Sequence, residues 1–412
     1  MKAIQTFLFT TTITLVACSN NSISKLNDLP IVAHSVEVDG QDMTVCELAL
    51  LKDTIDLPLS FWVEDFEMVK LGNKDEALVG KGTVHVSDNY ILIGNANNVP
   101  CKLFRRNGSF VGNVGSIGQG PGEYMKAYDI QIDEKSGCIY MLPWKSNSIL
   151  VYDMNGKHIK DIPLNKKYET LIVPKGKFKV DAEKNRVAVM LLPFNFLPVV
   201  AWIQDMEGNF IHEIPMNHLK VIPAFSNEVI SAKTATNALD VHIYLLREQR
   251  KDTLYHLNME TGKLQPKFTL DFGGDDIAIH NYLELPAHYV GSLSFLEQVS
   301  EISYMTYTNG SYIVEKATGK GSFYRTKNDF LDNEPANINS QYCSNGYYTI
   351  NIEPSILINK LEKALAKKSI SPDKRKKLED LLASIDEDDN NYIFIGKLKK
   401  EFGDTSEKIV CL

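Results

Sequence analysis

The chain is poor in the local motifs that mark catalytic or metal centres. Its six cysteines form no Cys-X-X-Cys pair, which disfavours a zinc knuckle or a redox dithiol. The nine histidines form neither His-X-His nor His-Glu-X-X-His, and no Gly-X-Ser-X-Gly elbow occurs. Local pattern therefore predicts no catalytic residue and no metal ligand, and it indicates no particular cofactor.

An excess of positive charge is also missing. The chain has 44 Lys and Arg against 52 Asp and Glu, a net charge of −8 at pH 7. Its longest basic run, the KRKK of residues 374–377, is typical of the solvated face of a helix. Because proteins that bind nucleic acid usually carry a basic patch or stripe, we predict no nucleic-acid partner.

Long hydrophobic runs are absent, and no segment after the N-terminus is apolar enough to span a bilayer. Residues 1–18 read MKAIQTFLFTTTITLVAC. They contain one lysine, a short apolar and Thr-rich run, and small residues before Cys18. This pattern predicts a cleaved export signal over residues 1–17.

The end of that signal, Leu15-Val16-Ala17-Cys18, resembles the lipobox of bacterial lipoproteins. The resemblance implies that Cys18 is lipidated and becomes the first residue, so that the lipid holds the protein to a membrane. The alternative is an ordinary signal peptide with a chance cysteine. Ser19 does not resemble the Asp that retains many lipoproteins in the inner membrane, so we expect the outer membrane. Residues 18–50 would then be a tether and lead-in, polar over residues 19–30, with strands from about residue 56.

Once Cys18 is used, five cysteines remain, and an odd number cannot all pair internally. They are Cys46, Cys101, Cys138, Cys343 and Cys411. Cys101 and Cys138 stand in apolar strand patterns, which predicts buried thiols.

A two-stranded unit recurs along the chain: an apolar strand, a turn closing on Gly, and a second apolar strand. The copies span residues 103–114, 150–162, 202–214, 254–270 and, more loosely, 312–324. Their turn glycines are Gly108, Gly156, Gly208, Gly262 and Gly319. Self-similarity at roughly 50 residues is typical of a radial array of small sheets.

This repeat predicts an all-β fold, a six-bladed β-propeller of four-stranded blades over residues 51–412. One full blade can be laid out over residues 127–164, and equivalent blades start near Gly82, Lys177, Asn227 and Ser292. The last copy is interrupted by helical periodicity, which predicts a helical hairpin inserted over residues 354–386. The segment Asp65–Leu71 is a plausible outer strand for the last sheet, which would close the ring.

Family resemblance rests on the run Gly118, Gln119, Gly120, Pro121, Gly122, Glu123 and Tyr124, followed by the strands of residues 128–164. Together with the lipobox and the helical hairpin, it resembles the six-bladed β-propeller lipoproteins of gut-type Gram-negative bacteria, which are similar to NHL-repeat propellers. That family often carries a basic residue just before the run, where this chain has Ile117.

The GQGPGEY run of residues 118–124 is our candidate inter-blade loop. Its three glycines and one proline favour a tight connection between consecutive blades. Phosphate-binding loops lead into a helix, whereas a strand follows here, so nucleotide binding is disfavoured. Glu123 and Tyr124 are the residues of this loop that could line a channel mouth.

Two classes of function stay open. The favoured one is a non-catalytic binding scaffold at the cell envelope, with a glycan, a peptide or another protein as its partner. The alternative is a metal-dependent hydrolase, lactonase or lyase with its site in the central channel. Convergence of three or more carboxylate, Asn or His side chains on the propeller axis would favour the enzyme.

Overall fold

The computed structural model describes residues 28–400, apart from 96–97, 170, 195–196, 225, 247, 301–302, 332 and 369. The described residues form six blades of antiparallel strands in a propeller arrangement, as the repeat predicted. Cys18 and Cys411 lie outside them. Of the two cysteines predicted to be buried, Cys101 is buried and Cys138 is half-buried.

Each blade runs from its first strand near the axis to its fourth strand at the rim, and the first strands of blades 1 to 4 contact their neighbours in turn. Blade 1 consists of Gly82–Val86, Tyr90–Asn95, Cys101–Arg105 and Phe110–Val114. Blade 2 consists of Ala127–Asp133, Cys138–Pro143, Ser148–Asp153 and His158–Pro163. Blade 3 consists of Gly176–Asp181, Arg186–Leu191, Ala201–Gln204 and Phe210–Ile214. Blade 4 consists of Glu228–Ile230, Ala238–Tyr244, Leu254–Asn258 and Leu264–Asp271. Blade 5 consists of Ile279–Glu284, His288–Ser300, Ser303–Glu315 and Gly321–Asn328. Blade 6 consists of Cys343–Ser344, Tyr347–Ile352, Tyr392–Leu398 and Val63–Lys70.

Three of the four predicted blade starts agree with the structure to within one residue. The fourth is wrong, because blade 5 begins at Ile279 and Ser292 lies in its second strand. The second and third strands of blade 5 have 13 residues each. Because these two strands are so long, they shift the sequence repeat along the chain. The spacing of the repeat therefore predicted the wrong start for blade 5.

The N-terminal segment is more than a lead-in, because strands begin at Ala33 rather than near residue 56. Ala33–Val38 and Gln41–Glu47 form a hairpin whose second strand pairs in parallel with the rim of blade 4. Thr54–Pro58 pairs in parallel with the rim of blade 5. The sequence signal that was missed is the Asp39-Gly40 pair, which strongly favours a hairpin turn. The strands on either side of it are too polar to be recognised from their hydrophobic pattern.

Blade 6 closes the ring as predicted. Val63–Lys70 pairs antiparallel with Tyr392–Leu398, so the N-terminal part of the chain supplies the rim strand of the last blade. Phe66 on this strand stacks on Phe330 and Phe394, with ring centroids 4.3 and 5.5 Å apart. Closure therefore buries apolar surface as well as pairing an edge.

The helices of the hairpin lie where the sequence predicted them, between the second and third strands of blade 6. A short helix α1 spans Leu59–Trp62, and the hairpin consists of α2, Pro354–Leu365, and α3, Pro372–Ala383. Ser371 caps α3 by accepting a hydrogen bond from Lys374 N. Both helices bury their leucines in one core cluster with blades 5 and 6.

The remaining described elements are short. One two-stranded parallel pair joins Ser116–Ile117 to Glu123–Tyr124, and Glu334–Ala336 pairs with the rim of blade 5. Single 3-10 turns occupy Leu48–Leu50, Asp75–Ala77, Asn217–Leu219 and Asp329–Leu331. None of the helices in the described part of the chain is long and apolar enough to cross a membrane.

Candidate functional site

The GQGPGEY loop connects the rim of blade 1 to the inner strand of blade 2 and folds around its own glutamate. The carboxylate of Glu123 accepts hydrogen bonds from Gly120 N at 2.9 Å and from Ser116 Oγ at 3.1 Å. These donors stabilise the ionised carboxylate and lower the pKa of Glu123. A Cβ atom on Gly118 would lie 1.9 Å from Glu123 Oε2, so a larger residue here would displace the Glu123 carboxylate from its present position.

The end of the loop is anchored to both blades. Tyr124 is 3 % exposed, and its hydroxyl donates to Val114 O and accepts from Cys101 N, both at 2.8 Å. Tyr152 of blade 2 donates to Gly122 O at 2.9 Å. The buried Tyr124 therefore has a structural role, because it links blade 1 to blade 2. Gln119, Gly120 and Pro121 are exposed, and a ligand role for them stays a prediction.

A ladder of three lysines lies on and just before the inner strand of blade 3, with Lys175 immediately ahead of Gly176–Asp181. Lys175, Lys177 and Lys179 alternate with the buried Gly176, Phe178 and Val180, as the period of two in a strand requires. Lysines two residues apart are separated by about 7 Å along a strand. Two ammonium groups at that separation repel each other by roughly 2 kcal/mol at an effective dielectric constant of about 20. Repulsion between these ammonium groups therefore destabilises the folded state unless nearby acidic groups compensate their charge.

Acidic groups of the neighbouring blades compensate part of this charge. Lys175 forms an ion pair with Glu228 of blade 4. Lys177 Nζ lies 3.7 Å from Asp129 Oδ1 of blade 2. Lys179 donates to the backbone carbonyl of Ala235. These contacts reach from blade 3 to blades 2 and 4, so the lysine ladder faces the propeller axis.

Asp129 and Lys233 form the most deeply buried ion pair of the axis. Lys233 Nζ lies 2.9 Å from Asp129 Oδ2, and the two side chains are only 5 % and 6 % exposed. Asp129 Oδ2 also accepts from Phe178 N at 3.0 Å, and Lys233 Nζ donates to Ile130 O at 2.8 Å. Burial by itself raises the pKa of Asp129, but Lys233 and Lys177 outweigh it and hold that pKa below its usual value.

His85 on the inner strand of blade 1 completes this group. Burial and then Lys233 and Lys177 lower the pKa of His85 to about 4, so its ring is neutral at pH 7. Its Nε2 lies 3.2 Å from Thr83 Oγ1, and its Nδ1 is buried with no hydrogen-bond partner among the described residues. We call His85, Asp129, Lys177 and Lys233 the axial cluster.

The axial cluster differs from the set that the metal-dependent alternative requires. The described part of the chain contains no group of three or more His, Cys, Asp or Glu side chains that could hold a metal ion. Asp129 brings one carboxylate, and it is already engaged by ammonium groups. A divalent cation at this carboxylate would meet the repulsion of Lys177 and Lys233.

A second candidate site lies where blade 5 departs from the repeat. Its second and third strands continue beyond the sheet as a projecting hairpin, the blade 5 arm, which comprises the described residues of 294–310. Phe295 and Tyr307 stack on this arm with ring centroids 5.6 Å apart, and they are 49 % and 37 % exposed.

A cleft of about 750 Å³ lies at the base of the arm, which we call the blade 5 cleft. Amides and hydroxyls dominate its lining, with one half-buried ring. The lining includes Thr54, Asn281, Ser292, Thr308, Asn309, Ser311, Phe323, Tyr324, Arg325, Thr326, Lys327, Asn333, Asn337 and Asn339. The charged groups of Arg325 and Lys327 share the carboxylate of Asp56, at 3.1 and 2.6 Å, so each cation already has an acidic partner.

Sequence reasoning missed both sites. The KGKFKVD segment carries the period-two lysines of the ladder, and that signal was readable. The partners of these lysines were not readable, because Asp129 and Lys233 belong to other blades. The asparagines of the blade 5 cleft are likewise dispersed between Asn281 and Asn339.

Comparison with solved structures supports the fold. A Bacteroides fragilis protein whose name describes it as exported aligns with a TM-score of 0.55 and 15 % identity, covering 86 % of this chain and all of that one. A member of the DUF4221 family from Bacteroides vulgatus aligns with a TM-score of 0.40 and 9 % identity, covering 82 % of this chain and 97 % of that one. At 15 % identity the likeness to the Bacteroides fragilis protein extends to the fold alone.

Comparison by sequence places the chain in a family. None of the curated proteins matches it. The family described as a domain of unknown function, DUF4934, matches residues 44–397, which include all six blades and the helical hairpin. This chain is therefore a member of the DUF4934 family.

Proposed function

We propose that this protein is an exported, lipid-anchored propeller that binds a neutral glycan in the blade 5 cleft without turning it over. The observation that carries the proposal is the lining of the cleft. A volume of about 750 Å³ is within the usual range of ligand sites.

The exposed amides of the cleft suit sugar hydroxyls. Asn309, Asn333 and Asn337 are exposed, and an amide can donate and accept at once, as a sugar hydroxyl does. Phe323 offers a ring against which the apolar face of a sugar could pack. Since Asp56 holds the nearby cations, the cleft favours a neutral ligand over an acidic one.

A peptide is the second candidate, because the blade 5 arm has an unpaired strand edge beside the cleft. The third strand of blade 5 pairs with the rim strand only from Ser311 to Val314. The backbone of Met305–Gly310 is thus open to an added strand. The glycan is favoured because the cleft presents amides and hydroxyls rather than alternating apolar pockets.

Export and anchoring are part of the proposal. The lipobox Leu15-Val16-Ala17-Cys18 and the exported relative in Bacteroides fragilis support them. The metal-dependent hydrolase, lactonase or lyase is the less favoured alternative. It would need several carboxylates or histidines gathered on the axis, and the axial cluster brings one carboxylate and one histidine beside two lysines.

A binding panel tests the proposal. Purified protein is offered neutral glycans, acidic glycans and extended peptides, and products are assayed with and without chelator. We expect saturable binding of a neutral glycan without product, and a loss of about tenfold or more in affinity for Asn309→Ala/Asn337→Ala. Asn147→Ala, an exposed asparagine on a loop of blade 2, is the control and should bind like wild type.

Other outcomes contradict the proposal. Binding of extended peptides alone would assign the cleft to strand addition. Chelator-sensitive turnover would favour the enzyme. Glycan binding that survives in Asn309→Ala/Asn337→Ala would place the site elsewhere on the propeller.

A further inference from the structure

We propose that the blade 5 arm is a dimerisation element, and that its partner is the arm of a second copy of this chain. The two arms pair antiparallel through the open edge of the third strand, about a two-fold axis at Thr306. This inference concerns the arm and not the blade 5 cleft, so it does not depend on the proposed glycan.

The first argument is that the arm stands clear of its own blade. On one side, the inner strand of blade 5 pairs with the second strand only as far as Ser294. On the other side, the rim strand pairs with the third strand only from Ser311 onwards. Residues 295–300 continue the second strand beyond these points, and at about 3.3 Å per residue they project roughly 20 Å. Within the described part of the chain, no further strand pairs with either edge of the arm.

The second argument is that one of these edges lacks charge. No charged residue occurs from Ser303 to Val314, although 23 % of the chain is charged. Charged side chains are a common device that keeps an exposed strand from pairing with another chain. In a symmetric pair, each residue near the two-fold axis meets its own copy, so a charge there would repel itself. The second strand carries the exposed Glu297, so self-pairing selects the edge of the third strand.

The third argument is that the side chains near Thr306 complement one another. Met305, Thr306 and Tyr307 are all exposed, and within one arm Met305 Sδ lies 3.7 Å from the Tyr307 hydroxyl. A two-fold axis at Thr306 places Met305 of each arm opposite Tyr307 of the other, on the face where Phe295 and Tyr307 stack. Cross-strand contacts between methionine sulfur and aromatic rings are favourable. Pairing of the arms therefore adds side-chain contacts to the hydrogen bonds of the backbone.

A second copy fits this edge better than a foreign peptide does. Sites that bind peptides by strand addition supply pockets for alternate side chains beside the edge. The blade 5 cleft reaches the third strand only at residues 308–311, so Met305 and Tyr307 lie outside it. A projecting arm lets two arms meet while the propeller bodies stay apart, and one self-complementary patch serves both copies.

Analytical ultracentrifugation of the chain carrying Cys18→Ser, with no glycan added, tests the dimer. We expect a reversible equilibrium between monomer and dimer. Thr306→Lys brings a like charge from each copy to the two-fold axis and should raise the dissociation constant of the dimer about fivefold or more. Gln298→Lys adds the same charge at an exposed position on the other strand of the arm, and it should stay within about twofold of the parent chain.

Amide hydrogen exchange locates the contact. Exchange over residues 305–310 should slow as the protein concentration rises, because backbone amides of the open edge become hydrogen-bonded in the dimer. Thr306→Lys should weaken that concentration dependence. Equal urea midpoints of the three chains at high dilution show that the comparison is between folded proteins.

Three results would overturn the dimer. They are a monomer at every concentration, a dimer that Thr306→Lys leaves unchanged, and exchange over residues 305–310 that is indifferent to concentration. Because these measurements contain no glycan, their failure would leave the proposed glycan site untouched.

Discussion

The backbone carbonyl oxygen of Asn113 lies 2.0 Å from the position that a Cβ atom on Gly156 would occupy. Gly156 closes the outer hairpin of blade 2, and Asn113 lies on the rim strand of blade 1. The same relationship recurs around the ring, where Gly108 faces Lys70 O of blade 6 and Gly208 faces Pro163 O of blade 2. In blades 1 to 4 the glycine of the sequence repeat is thus a point at which the blade contacts the one before it, whereas Gly319 of blade 5 faces Ala33 O of the N-terminal hairpin.

Gly156→Ala should destabilise the protein by about 3 kcal/mol, because a positive φ of 80° and an overlap with backbone act together. Gly346→Ala is the matched control, since its φ is 82° but nothing lies within 4 Å of its added Cβ. It should cost only about 1 kcal/mol. Urea unfolding measures the free energy of unfolding of both variants. Equal losses of stability would show that the contact between the blades at Gly156 does not contribute to stability.

Phe66→Ala should destabilise the closed ring by about 3–5 kcal/mol, because it removes a ring stacked between Phe330 and Phe394. Glu64→Ala changes an exposed residue of the same strand and should stay within about 0.5 kcal/mol of wild type. Thermal and urea unfolding provide the comparison. A small loss for Phe66→Ala would mean that closure depends on strand pairing alone.

Asp129→Asn should destabilise the protein by about 3–5 kcal/mol, because it leaves the ammonium of Lys233 buried without its carboxylate. Lys233→Met should destabilise the protein by a similar amount, because it leaves the carboxylate of Asp129 buried without the ammonium of Lys233. The double variant should lose clearly less than the sum of the two, since neither charge then remains unpaired. Additive losses in a double-mutant cycle would contradict the pairing.

The buried Asp252 should give stability an unusual dependence on pH. Burial raises the pKa of Asp252 to about 7, against the hydrogen bonds from Ile243 N and Thr253 N. Between about pH 4 and pH 7 the folded state therefore holds this proton more tightly than the unfolded state, so the contribution of Asp252 to stability is greatest at the acidic end and falls as pH rises. Buried histidines such as His85, whose pKa is lowered to about 4, contribute in the opposite direction over part of this interval.

Asp252→Asn cannot ionise and lacks this contribution, so its stability relative to wild type should rise by a few kcal/mol between about pH 4 and pH 7. Asp388→Asn, on an exposed turn after α3, should keep the wild-type profile. Urea midpoints at successive pH values measure the difference. A constant difference between Asp252→Asn and wild type across this interval would show that another group holds the proton, with Asp240, whose pKa burial raises to about 6, as the next to test.

Cys18→Ser should move the protein from the detergent phase to the soluble fraction, because acyl chains contribute about 0.8 kcal/mol of membrane binding per buried CH₂. Cys138→Ser changes a cysteine within blade 2 and should leave partitioning as in wild type. Unchanged partitioning of Cys18→Ser would favour the ordinary signal peptide instead.

Features that depend only on neighbouring residues could be predicted from the sequence. Gly156 marks a hairpin because its turn requires a positive φ, and Ser371-Pro372 marks a helix start because the cap is local. Repetition of such local signals at a near-constant spacing was enough to predict six blades. Closure by Val63–Lys70 was predictable for a related reason, since a ring with a free edge is unfavourable.

Which side chains meet depended on the folded ring. Lys233 of blade 4 reaches Asp129 of blade 2 because the ring gathers the inner parts of its blades around one axis, and no spacing in the chain encodes that distance. The blade 5 arm was missed because strands twice the usual length broke the period on which the prediction relied. The axial cluster is formed by distant segments of the chain, and the blade 5 cleft lies where the sequence repeat is interrupted. A local sequence pattern specifies a strand, but it does not specify which residues its side chains contact in the folded protein.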